Sequence, residues 1–582
     1  MPQPQISPPA QGAAPPPPGA DERRLEQALA QRPDDAALHL HLARVRLATN
    51  RLDPALAAAT RAAQLAPADA AAQLVLAECC RRLGRGDDAL RALRAATALA
   101  PDRVEGWAGM GDLLLLAGKV AEAVEAYRRA AALSPRDPRP ARALGAALAR
   151  LGQHEESVAA FRAAAAADPT LVETLNSIGV SLDALGRRDE AVCALKSAAL
   201  LAPESASVQD NLGNALLSTG QSREAEACHR RALALGSTSA NSWSNLGNAL
   251  HRQGRLEESE AAYRRAIQLA PSNAKFRTNL ALTLLLEGKF AEGWHEYEWR
   301  WRDHPGVPAY LRDKPWRGED MPDGTLLLQA EQGYGDTIQF IRYVPLLRRK
   351  VGRLVLACQP ELLRLMGTVA GLDAVVPETR PPAEFDAAIT LMSVAGIFGT
   401  DLGNIPGGVP YLSPPPGAGV RLPPGKGLKV GIAWAGRPTH GDDWNRSIPA
   451  RLLEPLLAVP GVTFYSLQRG AVAERLGRPA GRRLIEVADS CADFADTAAV
   501  VDALDLVISV DTAVVHMAGA MGKPVWLLLP PVPDFRWLMS GDTTPWYPSL
   551  RLFRKAFDGS WEPVLARLAG LLREKAEAHA QA

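Results

Sequence analysis

The sequence predicts an α-helical solenoid joined to a pair of α/β domains with parallel sheets. Three observations carry that prediction. Prolines, small residues and glycines recur on one 34-residue grid through the first half of the chain. From about Thr325 the grid gives way to short β-rich runs alternating with helical segments. The Pro/Gly-rich stretch LSPPPGAGVRLPPGKG (412–427) then divides the second half in two. Bulk properties agree with a multidomain globular chain: 582 residues, 47% apolar and 22% charged, supply several packed cores. Lys plus Arg number 65 against 64 Asp plus Glu, a net charge of +1, which excludes a nucleic-acid binder working by phosphate neutralisation. No stretch approaches the ~18–20 apolar residues of a membrane helix. The opening string MPQPQISPPAQGAAPPPPGA has neither the basic start nor the apolar core of a signal peptide. Six scattered cysteines (Cys79, Cys80, Cys193, Cys228, Cys358, Cys491) form no CxxC pair. A cytoplasmic chain with reduced thiols and no membrane span is expected.

Residues 1–20 are Pro, Ala and Gln, too poor in large apolar groups to offset ordering entropy, and read as disordered. The solenoid is placed at 21–307, a half repeat over about 21–35 and then eight helical hairpins. Prolines at 33, 67, 101, 135, 169, 203, 271 and 305 keep the grid, with one gap at Ser237, and stop the second helix of each hairpin. Ala43, Ala77, Gly111, Gly145, Gly179, Gly213, Gly247 and Ala281 form the second register, where two helices must approach closely. Gly84, Gly118, Gly152, Gly186, Gly220, Gly254 and Gly288 form the third, ending the first helix in a left-handed residue. Period and pattern resemble the tetratricopeptide repeat.

Asn211, Asn245 and Asn279 recur at 34 residues, and Asn214 and Asn248 form a second pair inside the string NLGNAL. Amides facing a concave surface at regular intervals would hydrogen-bond an extended peptide without reading its side chains. This resembles the asparagine ladder of the O-linked N-acetylglucosamine transferase superhelix. The same amides would equally serve contacts between repeats or reflect recent duplication. The preceding repeats carry His41, Val75, Gly109, Ala143 and Ser177 there, which confines any ladder to the end nearest the second half. The last repeat runs on as FAEGWHEYEWRW (290–301), unusually aromatic for this chain, and reads as a capping helix that packs on the α/β half.

In the second half, strands are expected at 325–330, 353–358, 387–390, 429–436, 464–468, 506–510 and 524–530. Helical crossovers between them imply two Rossmann-like domains, at 308–415 and 428–560, joined by a linker at 416–427. Two such domains facing one cleft is the architecture called GT-B. The segment 561–582 reads as an amphipathic helix, expected to pack back across both halves.

Three loops carry the candidate chemistry. QGYGDT (332–337) comes directly after a strand and opens a helix, but Ile338 replaces the third glycine of a dinucleotide fingerprint, which disfavours NAD. Gly333 and Gly335 would let the backbone approach a ligand. Asp336 would take a proton from an acceptor hydroxyl, or cap the helix. The loop RPTHGDDWNRSIP (437–449) brings Arg437, His440 and Arg446 to the end of a parallel strand. An arginine there would neutralise a diphosphate, unless its charge is balanced locally by Asp442 and Asp443. In SVDTAVVHMAG the turn Asp511-Thr512-Ala513 opens a helix whose free N–H groups form a natural anion site, with His516 one turn on. Asp511 as a helix cap and His516 as a core residue are the plainer alternatives. No metal-ligand spacing accompanies them.

The strings GWHEYEWRW, QGYGDTIQFIRYVPLL, GIAWAG, NRSIP, SVDTAVVHMAGAMGKPVW and PDFRWLMSGDTTPWYPSLRLFR together resemble the heptosyltransferase-like, metal-independent inverting glycosyltransferases. Bacterial proteins that fuse such a domain to tetratricopeptide repeats are closer still. The resemblance implies Asp336 as general base, Arg446 where the heptosyltransferases use lysine, and Asp511, Thr512 and Ala513 holding the donor diphosphate. Ala513 replaces the more usual glycine. It implies a nucleotide sugar as donor substrate, no cofactor and no metal, with a protein acceptor held by the repeats; flagellin is the candidate by family analogy. A lipid-linked or polysaccharide acceptor, and an adaptor with a decayed transferase domain, are the rival readings.

Overall fold

The computed structural model describes residues 19–302, 306–437, 443–469, 484–557 and 559–581. The expected disorder of 1–20 falls almost wholly outside these, as do Pro305, His440 and Asp442. The chain divides into two compact units, one ending at Ser237 and the other beginning at Thr238.

In the first unit, helix Ala20–Gln31 is the expected half repeat, and helical hairpins run from Ala36–Ala48 paired with Leu52–Leu65 onward. Each small residue of the close-approach register has its reason sixteen positions later. A side chain on Gly111 would meet the Tyr127 ring at 2.6 Å, and one on Gly145 would meet Phe161 at 2.8 Å. Where the later residue shrinks to Ala59, the earlier one is Ala43, and both are fully buried. Glycine thus makes room for a ring at Gly111 and Gly145, and alanine meets alanine at Ala43, as close packing requires. The helix-ending glycines have φ between 72° and 82°, and Asn50, one period before Gly84, adopts φ 59°. Asparagine is the side chain that tolerates this region best. At the Pro gap before the unit boundary, Gly236 at φ 89° takes over the turn.

The second unit opens with two further hairpins, Ala240–His251 with Leu256–Leu269 and Ala274–Leu286 with Phe290–Tyr297. The boundary thus falls inside the predicted solenoid rather than at 307, because the final helices share a core with the first α/β sheet and its helices. Leu285, Phe290, Trp294 and Tyr297 are buried in one cluster with Phe340, Tyr343 and Met392. Trp294 donates to the Thr400 carbonyl at 2.9 Å and meets Phe340 and Phe535 edge-on. The aromatic extension is a docking helix, as its composition predicts.

Among the described residues the rest of this unit is built on two all-parallel sheets. The first has order β3-β2-β1-β4, with β1 Met321–Gln329, β2 Val351–Cys358, β3 Ala374–Pro377 and β4 Ala387–Thr390. The second has order β10-β9-β8-β5-β6-β7, with β5 Leu428–Ala433, β6 Val462–Ser466, β7 Leu484–Glu486, β8 Leu506–Val510, β9 Val525–Leu529 and β10 Leu550–Arg554. Residues 398–427, without helix or strand, enclose the expected linker. β3, β7 and β10 are not legible as strands in the sequence. All three are sheet edges; β3 ends in a proline and β7 has only three residues.

The final helix, Glu562–Gln581, differs from expectation. Its apolar stripe Leu565, Leu568, Ala569 and Leu572 joins the core of the second sheet with Val430, Leu456 and Phe464. It packs chiefly on β5 and the Ala450–Leu457 segment rather than across both halves. One face, already filled by one sheet, leaves nothing apolar to reach the other.

Candidate functional site

The first sheet places QGYGDT directly after β1. Gln332 there has φ 60°, an unfavourable conformation for a residue with a side chain, and its amide donates to the Tyr297 hydroxyl at 2.5 Å. Asp336 sits in the first turn of helix Tyr334–Phe340 and accepts the Gly333 N–H at 2.8 Å through Oδ2. It therefore does cap its helix. Its other oxygen accepts from Arg536 of the second half, and its side chain keeps 17% exposure. Burial pushes its carboxyl up, against the opposing pull of Arg536.

Gly335 requires a correction. A side chain there would meet His516 Cδ2 at 2.7 Å, so its missing Cβ admits the helix Ala513–Ala520 rather than a ligand. Gly333 has ordinary extended φ and lies against the Asp336 carboxylate, 3.2 Å from where its Cβ would stand. Gly335 thus brings the Asp336 loop against the helix that follows Asp511, while Gly333 serves the helix cap within its own loop.

In the second half, β8 delivers Asp511, and Thr512 is the N-cap of helix Ala513–Ala520 without capping it by its side chain. The Thr512 hydroxyl instead pairs with Ser509 at 3.1 Å. Thr512, Ala513 and Val514, at the positive end of the helix dipole, are half-buried rather than sealed in the core. Arg446 donates to the Asp511 carbonyl at 3.1 Å, and its Nε is buried without a hydrogen-bond partner. Asp443 lies 3.6 Å from that Nε, so the local charge balance foreseen from the sequence is partly present. Gly436 makes room for the guanidinium, which fills the place of its Cβ. Arg437 is exposed, with its guanidinium 5.8 Å from the centre of the Tyr334 ring.

His516 is buried, its Nδ1 3.1 Å from the Tyr547 hydroxyl and its ring stacked on Trp537. Burial pushes its imidazole well below the usual range, so at neutral pH it is uncharged and its 3.8 Å approach to Asp511 is not an ion pair. Burial and the neighbouring Asp534 push the Asp511 carboxyl up to about 6, although Trp537 donates to it at 2.9 Å. A carboxyl raised on folding binds more protons in the native state at intermediate pH. Its stabilising effect is complete below pH ~4 and is lost as pH rises through about 6. Melting temperatures of wild type and Asp511→Asn across pH 4–8 are expected to show the wild type losing ground up to about pH 6 and then running parallel; parallel curves throughout would refute the assignment.

Sequence reasoning missed Arg536, Trp537, Tyr547 and Arg342. Arg342 donates to the Trp546 carbonyl at 2.9 Å and to Tyr411 at 3.2 Å, tying the halves together. The strings PDFRW and PWYPS were visible in the sequence, but only folding brings them against Asp336 and His516. Among the described residues no group of three or more His, Cys, Asp or Glu side chains is placed to hold a metal ion, and no helix is long and apolar enough to cross a membrane. A separate cavity of about 590 Å³, between Trp294, Trp301, Trp316 and Ile397, contains none of the predicted site residues.

Of the amides, Asn211 donates to Asn176 at 2.9 Å in the first unit. In the second, Asn279 donates to Asn248 at 3.3 Å, and Tyr263 donates to the same oxygen at 2.7 Å. These amides bond one another between repeats. Asn214 and Asn245 are half-buried on the corresponding helices.

The first part of this protein is thus a tetratricopeptide-repeat solenoid, succeeded by parallel α/β sheets. The family model described as Tetratricopeptide repeat matches residues 22–70, 42–104, 81–138, 108–172 and 211–274. The chain is 28% identical over 328 residues to Protein FlbA of Caulobacter vibrioides, covering 49% of this chain and 52% of FlbA, so it spans about half the length of that relative. Among solved structures it is similar to the APC/C hetero-tetramer Cut9-Hcn1, at 19% identity and TM-score 0.33, covering 49% of this chain and 57% of that one. It is also similar to YrrB, a TPR protein with an unusual peptide-binding site, at 20% identity and TM-score 0.31, covering 32% and 96%.

Proposed function

We propose that the protein is a metal-independent inverting glycosyltransferase of GT-B architecture that moves a sugar from a nucleotide sugar to a hydroxyl of a polypeptide. One observation carries the reading. Asp336 from the first half and the Arg446/Asp511–Ala513 cradle from the second meet through the Gly335–His516 contact. That contact supports the reading, which needs a proton acceptor and an anion site near one another. Arg446 and the N–H groups of the helix start would hold the donor diphosphate and stabilise it as it leaves. Asp336 would remove the acceptor proton during a single displacement that inverts the anomeric carbon. The repeats would present the acceptor, with Asn211 and Asn214 in the first unit, and Asn245, Asn248 and Asn279 in the second, as candidate peptide contacts.

A non-catalytic protein-binding adaptor is the second reading, favoured by the structural tasks of Asp336 as helix cap and His516 as core residue. The two separate on donor binding. Full-length protein is melted with UDP, GDP, ADP and CMP and their sugars. Ligand at a hundred times its dissociation constant stabilises by about 2.7 kcal/mol, a rise of several degrees. A shift with one nucleotide class that vanishes in Arg446→Gln is the expected result. No shift with any of them would leave the adaptor.

A further inference from the structure

Arg536 reaches across from the second half into the first and is nearly inaccessible, its side chain 7% exposed. It uses all three of its guanidinium nitrogens. Nη1 donates to Asp534 at 2.7 Å, Nη2 to Asp336 Oδ1, and Nε to Gln339 Oε1 one turn further along the Asp336 helix. Its guanidinium also lies against two aromatic rings, its carbon 4.6 Å from the centre of the Phe535 ring and 5.7 Å from that of Phe340. The Asp336 carboxylate is thereby fixed at both oxygens, by Arg536 at one and by the Gly333 N–H at the other.

Resting on the transferase reading above, we propose that Arg536 is a positioning residue for that reaction: reaching from the second half, it orients the Asp336 carboxylate and sets its counter-charge. The physical need is plain. Burial, Asp534 and Glu331 all push the Asp336 carboxyl up and Arg536 opposes them, and a protonated carboxyl accepts no proton from a substrate. The groups facing it divide by sign. Glu331 and Asp534 disfavour its charge, Tyr297 and His516 are neutral neighbours, and Arg536 supplies the compensating positive charge. Glu331 itself is matched by Arg300. Because Asp534 and Trp537 flank Arg536, and Trp537 bonds Asp511, the loop that orders the base is continuous with the one that meets the diphosphate cradle.

The test uses full-length protein with the nucleotide sugar identified by the melting panel. Donor turnover is followed against pH for wild type, Arg536→Lys and Arg536→Gln. Loss of an adjacent guanidinium moves a carboxyl upward by about 1–3 pH units. The acid limb of kcat/KM is therefore expected to shift upward by at least one unit in Arg536→Gln, with partial recovery in Arg536→Lys and donor KM little changed. A thermal double-mutant cycle of Arg536→Gln with Asp336→Asn accompanies it and is expected to show coupling. Reduced turnover with an unmoved acid limb would make Arg536 a structural clasp and overturn the proposal, as would additive effects in the cycle. If Arg536→Gln does not fold, Arg536→Lys decides by the same limb. Wild-type protein that binds and turns over no donor would overturn the transferase reading itself, and this inference with it.

Discussion

Asp336→Asn is expected to lower donor turnover by about 10²–10⁴-fold while the nucleotide-induced melting shift survives. The asymmetry comes from where the residue sits. Its carboxylate lies in the first half of the α/β region, whereas Arg446 and the Asp511–Ala513 turn belong to the second. Asparagine keeps an oxygen for the Gly333 N–H, so the helix cap is retained, and Arg536 keeps Asp534 and Gln339. The capacity to accept a proton is lost. Loss of both turnover and nucleotide binding would instead assign Asp336 a structural role, and unchanged turnover would remove it from the mechanism.

The largest effect on stability is expected at Arg300. Its guanidinium forms a two-pronged pair with Glu331, 2.9 Å and 2.8 Å, and also donates to Ser393 at 2.8 Å and to the Tyr297 carbonyl at 2.8 Å. The two side chains are only 8% and 4% exposed. Arg300→Met leaves a buried carboxylate without a counter-charge and should cost about 3–5 kcal/mol. Urea unfolding of the second unit's transition measures it, as a lower midpoint at unchanged slope. Arg300→Met with Glu331→Leu should regain most of the loss, because an apolar pair needs no desolvation. A single-variant cost under about 1 kcal/mol would show that water reaches Glu331.

Legibility in the sequence tracks the range of the interactions. The solenoid is legible because each repeat contacts its neighbours at fixed spacing, so a one-dimensional period carries its three-dimensional packing. Gly111 with Tyr127 and the left-handed Gly84 are local facts. Strands buried on both faces are equally legible, since they are continuous apolar runs: Leu506–Val510, inside the second sheet, and the fully buried edge strand Ala387–Thr390 are bounded as their composition predicts. Of the strands that are not legible, β3 ends in a proline, β7 has only three residues, and in β10 Arg551 and Arg554 break up the apolar run.

The candidate site divides in the same way. The turns holding Asp336 and Asp511–Ala513, and the strand–turn–helix context of each, are set by nearest-neighbour sequence. The partners of those turns are not. Gly335 serves His516 at 181 residues' separation, Arg536 reaches Asp336 across 200, and Trp294 binds Thr400 across 106. By itself the sequence determined the repeat period, the order of elements and the residue types available for chemistry, because backbone preference and hydrophobic period act over a few residues. Only the tertiary structure decided which carboxylate meets which guanidinium and which glycine is empty for a neighbour's ring. Those pairings depend on how segments 106–200 residues apart in the chain pack, and no local pattern encodes the contact between them.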